Sequence, residues 1–276
     1  MSRGVIMYNR GTKCAVRLAV ACQSIREHYS GPVTILSQGA DSHPIVKRVC
    51  KANDIDFQEV DWKINRKGQT YLNACLVHKV TPYETSIWLD SDILVRGSYW
   101  PDVLWQAAEE NQFAIAQISN WTVQKKIASR VRAWEPLYSK LVEECIELGG
   151  PAINCGVFAF HKDSELMRDW YRMAEPGREL SWIPDETCCQ TILHSYPHKM
   201  MSHWYNVSCK HDKPHAREAQ IIHYHGRKHC RIDKGEYLYG ADLWWEAYDR
   251  LNIDVSDWVR WDRQLRQNLR RRHAKR

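Results

Sequence analysis

The chain has 276 residues, of which 44% are hydrophobic, and its formal net charge at pH 7 is +6. This size allows a substantial core, in one large domain or two small ones. No apolar run approaches the roughly 18 residues that cross a bilayer, and charged residues interrupt the N-terminal segment MSRGVIMYNRGTK, where a secretory signal needs an apolar stretch. We therefore expect a soluble cytoplasmic protein without a transmembrane segment.

The ten cysteines are scattered, and no C-x-x-C pair occurs among them. Neither a disulfide framework nor a redox motif is indicated, so we expect reduced, mostly buried thiols. Two N-x-[ST] sequons, at Asn120 and Asn206, carry little weight without a secretory signal.

Short hydrophobic runs alternate with stretches of helical periodicity through most of the chain. The predicted strands cover residues 5–8, 32–36, 57–60, 86–90, 113–118, 152–160 and 220–224. The predicted helices cover 13–28, 44–53, 71–80, 103–110, 137–148, 164–174 and 185–194, the last capped by Asp185. This alternation predicts an α/β fold with a mostly parallel sheet, helices on both faces, and the ligand site at the carboxyl ends of the strands.

Two further segments complete the predicted organisation. Residues 121–138 match no element, and we interpret them as a candidate active-site lid. The α/β domain is expected over 1–240, followed over 241–276 by a helical region whose tryptophans pack onto the core. Its last 17 residues, 260–276, hold eight Lys or Arg and one acid. They form either a surface for nucleic acid, anionic lipid or an acidic partner, or a solvated helix end with a disordered basic stub.

The most informative motif is Asp90-Ser91-Asp92, at the end of a hydrophobic strand within IWLDSDILVRGS. Residues two apart in an extended chain project to the same side, so both carboxylates can address one point. Their repulsion is best relieved by a divalent cation that also binds a phosphate ligand. The alternative is an ordinary strand-end turn.

Three other segments follow in a fixed order: PAINCGVFAFHKD at 151–163, IPDETCCQTIL at 183–193 and IIHYHGRKH at 221–229. With the D-x-D pair, they give an N-x-G strand, an acidic helix start and a late H-x-x-G element. Over roughly residues 3–230 this order resembles the nucleotide-sugar-dependent glycosyltransferases of the GT-A fold, most of all family 8, which contains glycogenin and bacterial galactosyltransferases. The resemblance implies a Rossmann-like mixed sheet and the transfer of a sugar from a UDP-sugar to an acceptor hydroxyl, with retention of anomeric configuration.

The resemblance also implies roles for individual residues. Asp90, Asp92 and His223 are expected to bind Mn²⁺ or Mg²⁺, with imidazole favouring Mn²⁺. A second group is expected to hold the nucleotide and its diphosphate: Tyr8, Asn9, Asp90, Gly226 and Lys228. The family places a lysine three residues after the glycine, whereas Lys228 comes one place early, so the lysine at the leaving group stays open.

Asn154, Asp185 and Glu186 are the expected catalytic residues. Asn154 matches the family's N-x-G amide, which holds sugar or acceptor, and its alternative is a purely structural amide. Asp185 matches the acid that binds sugar hydroxyls, but the next residue is Glu186 where the family usually has glutamine. A carboxylate there can stabilise an oxocarbenium ion or attack the anomeric carbon; alternatively, it only completes the first turn of a helix.

Other interpretations stay open. Seven potential zinc ligands fall within 22 residues: Cys209, His211, His215, His223, His225, His229 and Cys230. A nucleic-acid-binding protein on an inactive transferase-like scaffold is the alternative function, motivated by the basic tail. The acceptor of a transferase is open between a glycan, a protein and a hydroxymethylated DNA base. A nucleotidyltransferase is disfavoured, because residues 9–13 hold just one glycine.

Overall fold

The computed structural model describes residues 1–62, 72–209, 215, 217–225, 232–233, 236–237 and 240–274. The chain divides into two compact units, which we call unit one and unit two. Unit one comprises Met1–Gly4, Trp62–Trp88 and Pro101–His203; unit two comprises Val5–Asp61, Leu89–Trp100 and Trp204–Arg276.

Strands and helices alternate along most of the chain, as predicted. The strands are β1 Arg3–Arg10, β2 Val33–Gln38, β3 Asp56–Glu59, β4 Thr85–Leu89, β5 Ile93–Val95, β6 Phe113–Thr122, β7 Pro151–His161, β8 Lys199–Met201, β9 Val207–Ser208, β10 Ile221–His223, β11 Ile232–Asp233 and β12 Glu236–Tyr237. The helices are α1 Ala15–His28, α2 His43–Asn53, α3 Asn73–Leu76, α4 Trp100–Asn111, α5 Ala128–Arg132, α6 Glu135–Leu148, α7 Glu165–Ala174, α8 Pro184–Ile192, α9 Ala241–Asp249 and α10 Arg263–His273.

The main sheet has seven strands and is mixed. In unit two, β1, β2 and β3 pair in parallel. In unit one, β6 pairs antiparallel with β7 and parallel with β8. All six residues of β2 are buried, which is typical of a parallel strand covered by helices on both faces. The expected α/β class with a mostly parallel sheet is confirmed.

A second, three-stranded sheet lies within unit two, in the order β5-β10-β9. Strand β5 is antiparallel to β10, and β9 is parallel to β10. Helix α1 holds β5 in place, since the Val95 backbone N–H donates to Ser24 Oγ at 3.1 Å. Strands β5 and β9 were not predicted from the sequence, because three and two residues are too few to show an alternating pattern.

Aromatic side chains form the centre of unit one. The Phe158 ring on β7 lies 6.0 Å from Trp88, 5.5 Å from Phe113 and 5.5 Å from Trp170, measured between ring centroids. Trp170 then reaches α8, where its indole N–H donates to the carbonyl oxygen of Asp185 at 2.9 Å. The first turn of α8 is therefore tied to the buried core.

One prediction about local structure is wrong, and one segment that matched no element in the sequence is regular. Within residues 121–138, β6 continues to Thr122, a π-helical turn covers Val123–Ile127, and α5 and the start of α6 follow; a lid role for this segment stays a prediction. Asp185 does not cap its helix, because α8 begins at Pro184 with Ile183 as N-cap and no side-chain capping bond. Proline is well suited to this first position because it lacks the N–H that a cap would satisfy.

The C-terminal region is helical and packed. Trp244, Trp245 and Trp258 are buried, as predicted. Helix α10 buries Leu265, and its Arg272 pairs with Asp249, so the basic segment is helical over residues 263–273, as the alternative of a helix end expected. The boundary at residue 240 stays a prediction. Within the described part of the chain, every helix is too short or too polar to cross a membrane.

We predict that Phe158→Ala destabilises the protein by about 3–5 kcal/mol, because it opens a cavity among buried rings that cannot collapse fully. Urea unfolding followed by circular dichroism measures this cost. The matched control is Val103→Ala in the same unit, an exposed side chain, which should cost less than about 0.5 kcal/mol. Equal urea midpoints for Phe158→Ala and Val103→Ala would contradict the prediction that the Phe158 ring stabilises the core of unit one.

Candidate functional site

Strand pairing in unit two brings three predicted metal ligands together. Asp90 and Asp92 occupy the turn between β4 and β5. Strand β10 pairs with β5 so that His223 lies opposite Ile93, and the Tyr224 N–H donates to the carbonyl oxygen of Asp92 at 3.0 Å. The backbone register therefore sets the histidine beside the acidic turn.

The three side chains converge on one point. His223 Nε2 lies 3.3 Å from Asp92 Oδ1 and 3.6 Å from Asp90 Oδ2, and one ligand atom from each residue lies within 4.8 Å of the others. The His223 side chain is 4% exposed and that of Asp92 13%, whereas Asp90 is 39% exposed. Two carboxylates and an imidazole suit a divalent cation, and the exposed Asp90 side leaves room for further oxygen ligands.

A buried amide fixes the orientation of the histidine ring. His223 Nδ1 lies 3.1 Å from Oδ1 of Asn206, which is buried just before β9. Because an amide oxygen only accepts, Nδ1 carries the proton and the lone pair of Nε2 faces the two aspartates. Such a partner is typical of histidines that bind metals. Asn206 was not predicted as a site residue, because the pattern it belongs to in the sequence is a glycosylation sequon, and its side chain is buried.

The carboxyl end of β1 carries the two residues predicted to hold the nucleotide. Tyr8 Oη donates to Gln38 Oε1 on the neighbouring strand β2, at 2.6 Å. Asn9 is 2% exposed, and its Nδ2 donates to the carbonyl oxygen of Gly11 at 3.2 Å. Its Oδ1 has no hydrogen-bond partner among the described residues. Because an unsatisfied buried acceptor is costly, this atom can accept a hydrogen bond from an N–H or O–H group of a ligand or from water.

In unit one, Asn154 and Glu186 form a second cluster. Asn154 Nδ2 donates to Glu186 Oε2 at 2.6 Å, while Asn154 Oδ1 accepts from the Gly156 N–H at 3.0 Å. Arg130 on α5 places Nη1 3.7 Å from Glu186 Oε1. An amide and a cation therefore address the two oxygens of one carboxylate, which is more than completion of a helical turn requires. Arg130 was missed because it lies in a segment without a recognisable pattern.

Buried thiols lie beneath this cluster. Burial raises the pKa of the Cys155 and Cys188 thiols well above the usual value, so both stay protonated and neutral at pH 7. Cys155 directly follows Asn154, and Cys188 follows Glu186 by two residues. Asp185 lies close enough to both thiols, and Glu186 to that of Cys155, for these carboxylates to raise the thiol pKa further, and both thiols are buried, as expected.

Several predicted residues lie outside the described part of the chain. Gly226 and Lys228 are among them, and so are three of the zinc candidates, His211, His229 and Cys230. The roles expected for them stay predictions. Among the described residues, Asp90, Asp92 and His223 are the group that can hold a metal ion.

No protein-family model and no curated protein matches the chain. Solved structures do match. They include the galactosyltransferase LgtC in complex with donor and acceptor sugar analogues, at 15% identity over 94% of this chain and 99% of that chain, with a TM-score of 0.67. An active-site mutant of LgtC with glutamate in place of glutamine matches at 16% identity over 92% and 98%, with a TM-score of 0.65. The apo-form glycosyltransferase GlyE of Streptococcus pneumoniae TIGR4 matches at 15% over 99% and 64%, with a TM-score of 0.60.

At these identities, the likeness concerns the fold. The chain has the GT-A fold of glycosyltransferases, as the order of its sequence motifs implied. Similarity over nearly the full length of LgtC includes both units.

We predict that Asn206→Ala lowers affinity for Mn²⁺ by roughly 10- to 100-fold, because the His223 ring loses the partner that orients it. Titration calorimetry with Mn²⁺ measures the change. Asn206→Asp, which keeps an acceptor oxygen, should retain binding, and Asp257→Asn, which removes an exposed carboxylate, should bind as the wild type does. Unchanged affinity in Asn206→Ala would show that the ring needs no such partner.

Proposed function

We propose that this chain is a metal-dependent glycosyltransferase that transfers a sugar from a nucleotide-sugar donor, a UDP-sugar, to an acceptor hydroxyl. The observation that carries the proposal is the convergence of Asp90, Asp92 and His223 on a chain with the GT-A fold. The fold alone does not identify the reaction. A carboxylate–imidazole site able to hold a cation beside a diphosphate supplies the chemical reason.

The metal proposed is Mn²⁺, with Mg²⁺ as the alternative, because an imidazole ligand suits Mn²⁺ better. When bound, the ion supplies Lewis-acid stabilisation of the nucleoside diphosphate that leaves. Asp92 and His223 are its more buried ligands, and Asp90, whose side chain is more exposed, contacts the ion or the ribose. Asn206 holds the histidine ring in its binding orientation.

Tyr8 and Asn9 are proposed to hold the nucleotide. Support comes from the position of both residues at the end of β1 and from the buried Asn9 Oδ1, which has no hydrogen-bond partner among the described residues. A uracil N–H or a ribose hydroxyl matches that acceptor. Gly226 and Lys228 are proposed to contact the diphosphate, on the strength of the motif resemblance alone.

Glu186, with Asp185 and Asn154, is proposed to act at the sugar. Asp185 binds sugar hydroxyls. The Glu186 carboxylate, oriented by Asn154 and Arg130, stabilises positive charge at the anomeric carbon or attacks it. In attack, a bond from the carboxylate oxygen to the anomeric carbon forms as the bond to the diphosphate breaks. The acceptor oxygen then forms its bond to the anomeric carbon as the bond to Glu186 breaks, its proton passes to an oxygen of the departed diphosphate, and two inversions give net retention.

The nucleic-acid-binding alternative is not favoured. The similar structures are glycosyltransferases, and one arginine of the basic helix α10, Arg272, is engaged by Asp249 and Trp245. The cytoplasmic location rests on sequence composition and stays a prediction.

We predict that the purified protein releases UDP from at least one common UDP-sugar when Mn²⁺ is present. Asp92→Asn should lower the rate on the order of 100-fold or more, because the site loses a ligand charge. A coupled UDP assay measures the rate, and Asp257→Asn is the matched control. The proposal fails if no UDP-sugar is cleaved and Asp92→Asn leaves nucleotide binding unchanged.

We predict that Glu186→Gln lowers kcat for transfer on the order of 100-fold, because an amide keeps the shape of the side chain but lacks the negative charge at the anomeric carbon. The variant should fold normally, since an amide oxygen still accepts from Asn154. Glu179→Gln removes an exposed carboxylate of the same unit and should retain full activity. Equal kcat values for Glu186→Gln and the wild type would show that the Glu186 carboxylate takes no part in the reaction.

A further inference from the structure

Trp182 is the exposed member of the tryptophan set. The chain has thirteen tryptophans, all at positions that the structure describes, and the other twelve are buried or partly buried. Trp182 is 68% exposed. A large apolar surface left in water is unfavourable, and an exposed indole is a common feature of binding surfaces.

The loop that carries this indole is held at both neighbouring residues. Ser181 Oγ accepts from the Ile183 N–H at 3.3 Å and lies 3.0 Å from Thr187 Oγ1 on α8. The Arg130 guanidinium lies 5.2 Å from the centre of the Trp182 ring, within the range of a cation–π contact. Trp182 is therefore presented in a defined position, which lowers the entropy lost when a ligand packs on it.

The same arginine joins the indole to the proposed catalytic carboxylate. Arg130 pairs with Glu186 at 3.7 Å, and Glu186 accepts from Asn154 at 2.6 Å. Trp182, Arg130 and Glu186 all belong to unit one. A ligand lying on the indole thus lies next to side chains that can accept and donate hydrogen bonds.

We propose that the Trp182 indole is the stacking platform for a carbohydrate acceptor, with Arg130 as the residue that positions it; this rests on the proposed transferase function. A pyranose ring offers a C–H face that packs on an indole and a rim of hydroxyls that bond to charged neighbours. The Arg130 guanidinium beside the indole is paired with the Glu186 carboxylate, so this cation is partly neutralised and is a weaker partner for the phosphate backbone on which nucleic-acid binding largely depends. A neutral sugar therefore fits this surface better than DNA or RNA.

Binding can be tested apart from turnover. Saturation-transfer NMR is run on the full chain without a nucleotide-sugar donor. The ligands are lactose, maltotriose and chitotriose, and in parallel a DNA duplex that contains hydroxymethylcytosine and a serine-rich peptide. At least one oligosaccharide should bind the wild type. Trp182→Ala should weaken that binding roughly 5- to 10-fold, and Trp182→Phe should retain most of it, because loss of an aromatic stack costs about this much. Tyr99→Ala is the control, since it removes another strongly exposed ring.

The outcomes separate this inference from the proposed function. Equal binding by Trp182→Ala and the wild type, no binding of any oligosaccharide, or Trp182-dependent binding of the duplex or peptide instead would each overturn the carbohydrate platform. Failure of UDP release, with sugar binding still dependent on Trp182, would remove the transferase proposal and leave the platform as a sugar-binding site. Where turnover is seen, Trp182→Ala should raise KM for the acceptor more than it lowers kcat.

Discussion

The pairing of β10 with β5 is the contact on which the candidate metal site depends. The two aspartates come from the end of one strand, but the histidine is more than 130 residues further along the chain, and only the register between Ile93 and His223 brings it to them. A slip of one residue would turn the histidine to the other face of the sheet. The bond from Val95 to Ser24 on α1 anchors the edge strand, so a helix on the far side of the strand helps to set the ligand geometry.

The parts of the site that could be predicted are those with a local pattern. A hydrophobic strand that ends in two acids can be recognised within a dozen residues. The order of the motifs that follow it then indicated Asn154, Asp185 and His223. Asn206 could not be found in this way, because a partner to a histidine is defined by distance in space and β9 is too short to show a strand pattern. Arg130 could not be predicted from a local pattern either. Its segment lacks periodicity because a π-helical turn interrupts the helical repeat before α5.

The wrong assignment of a capping role to Asp185 has a physical cause that bears on function. An acid at the start of a helix normally satisfies backbone N–H groups, but Pro184 lacks one and Ile183 takes the flanking position without a side-chain bond. Asp185 is therefore not used as a cap, and its main-chain oxygen is held by Trp170. This arrangement fixes the main chain of the turn to the core while Asp185 stays partly exposed, which is compatible with the sugar-binding role proposed for its carboxylate.

Under the proposed function, the two units carry different tasks. The metal ligands and nucleotide-binding residues belong to unit two, whereas Glu186, Asn154, Arg130 and Trp182 belong to unit one. Arg130 contacts both the Glu186 carboxylate and the Trp182 indole, so one side chain helps to orient the proposed catalytic residue and the proposed acceptor platform. Arg130 and Asn154 each contact one oxygen of the Glu186 carboxylate, and the nearby Cys155 and Cys188 thiols, whose pKa burial raises, add no charge at pH 7. Substitutions at residues 130 and 182 can therefore change the acceptor, while the ligands that hold the donor stay as they are.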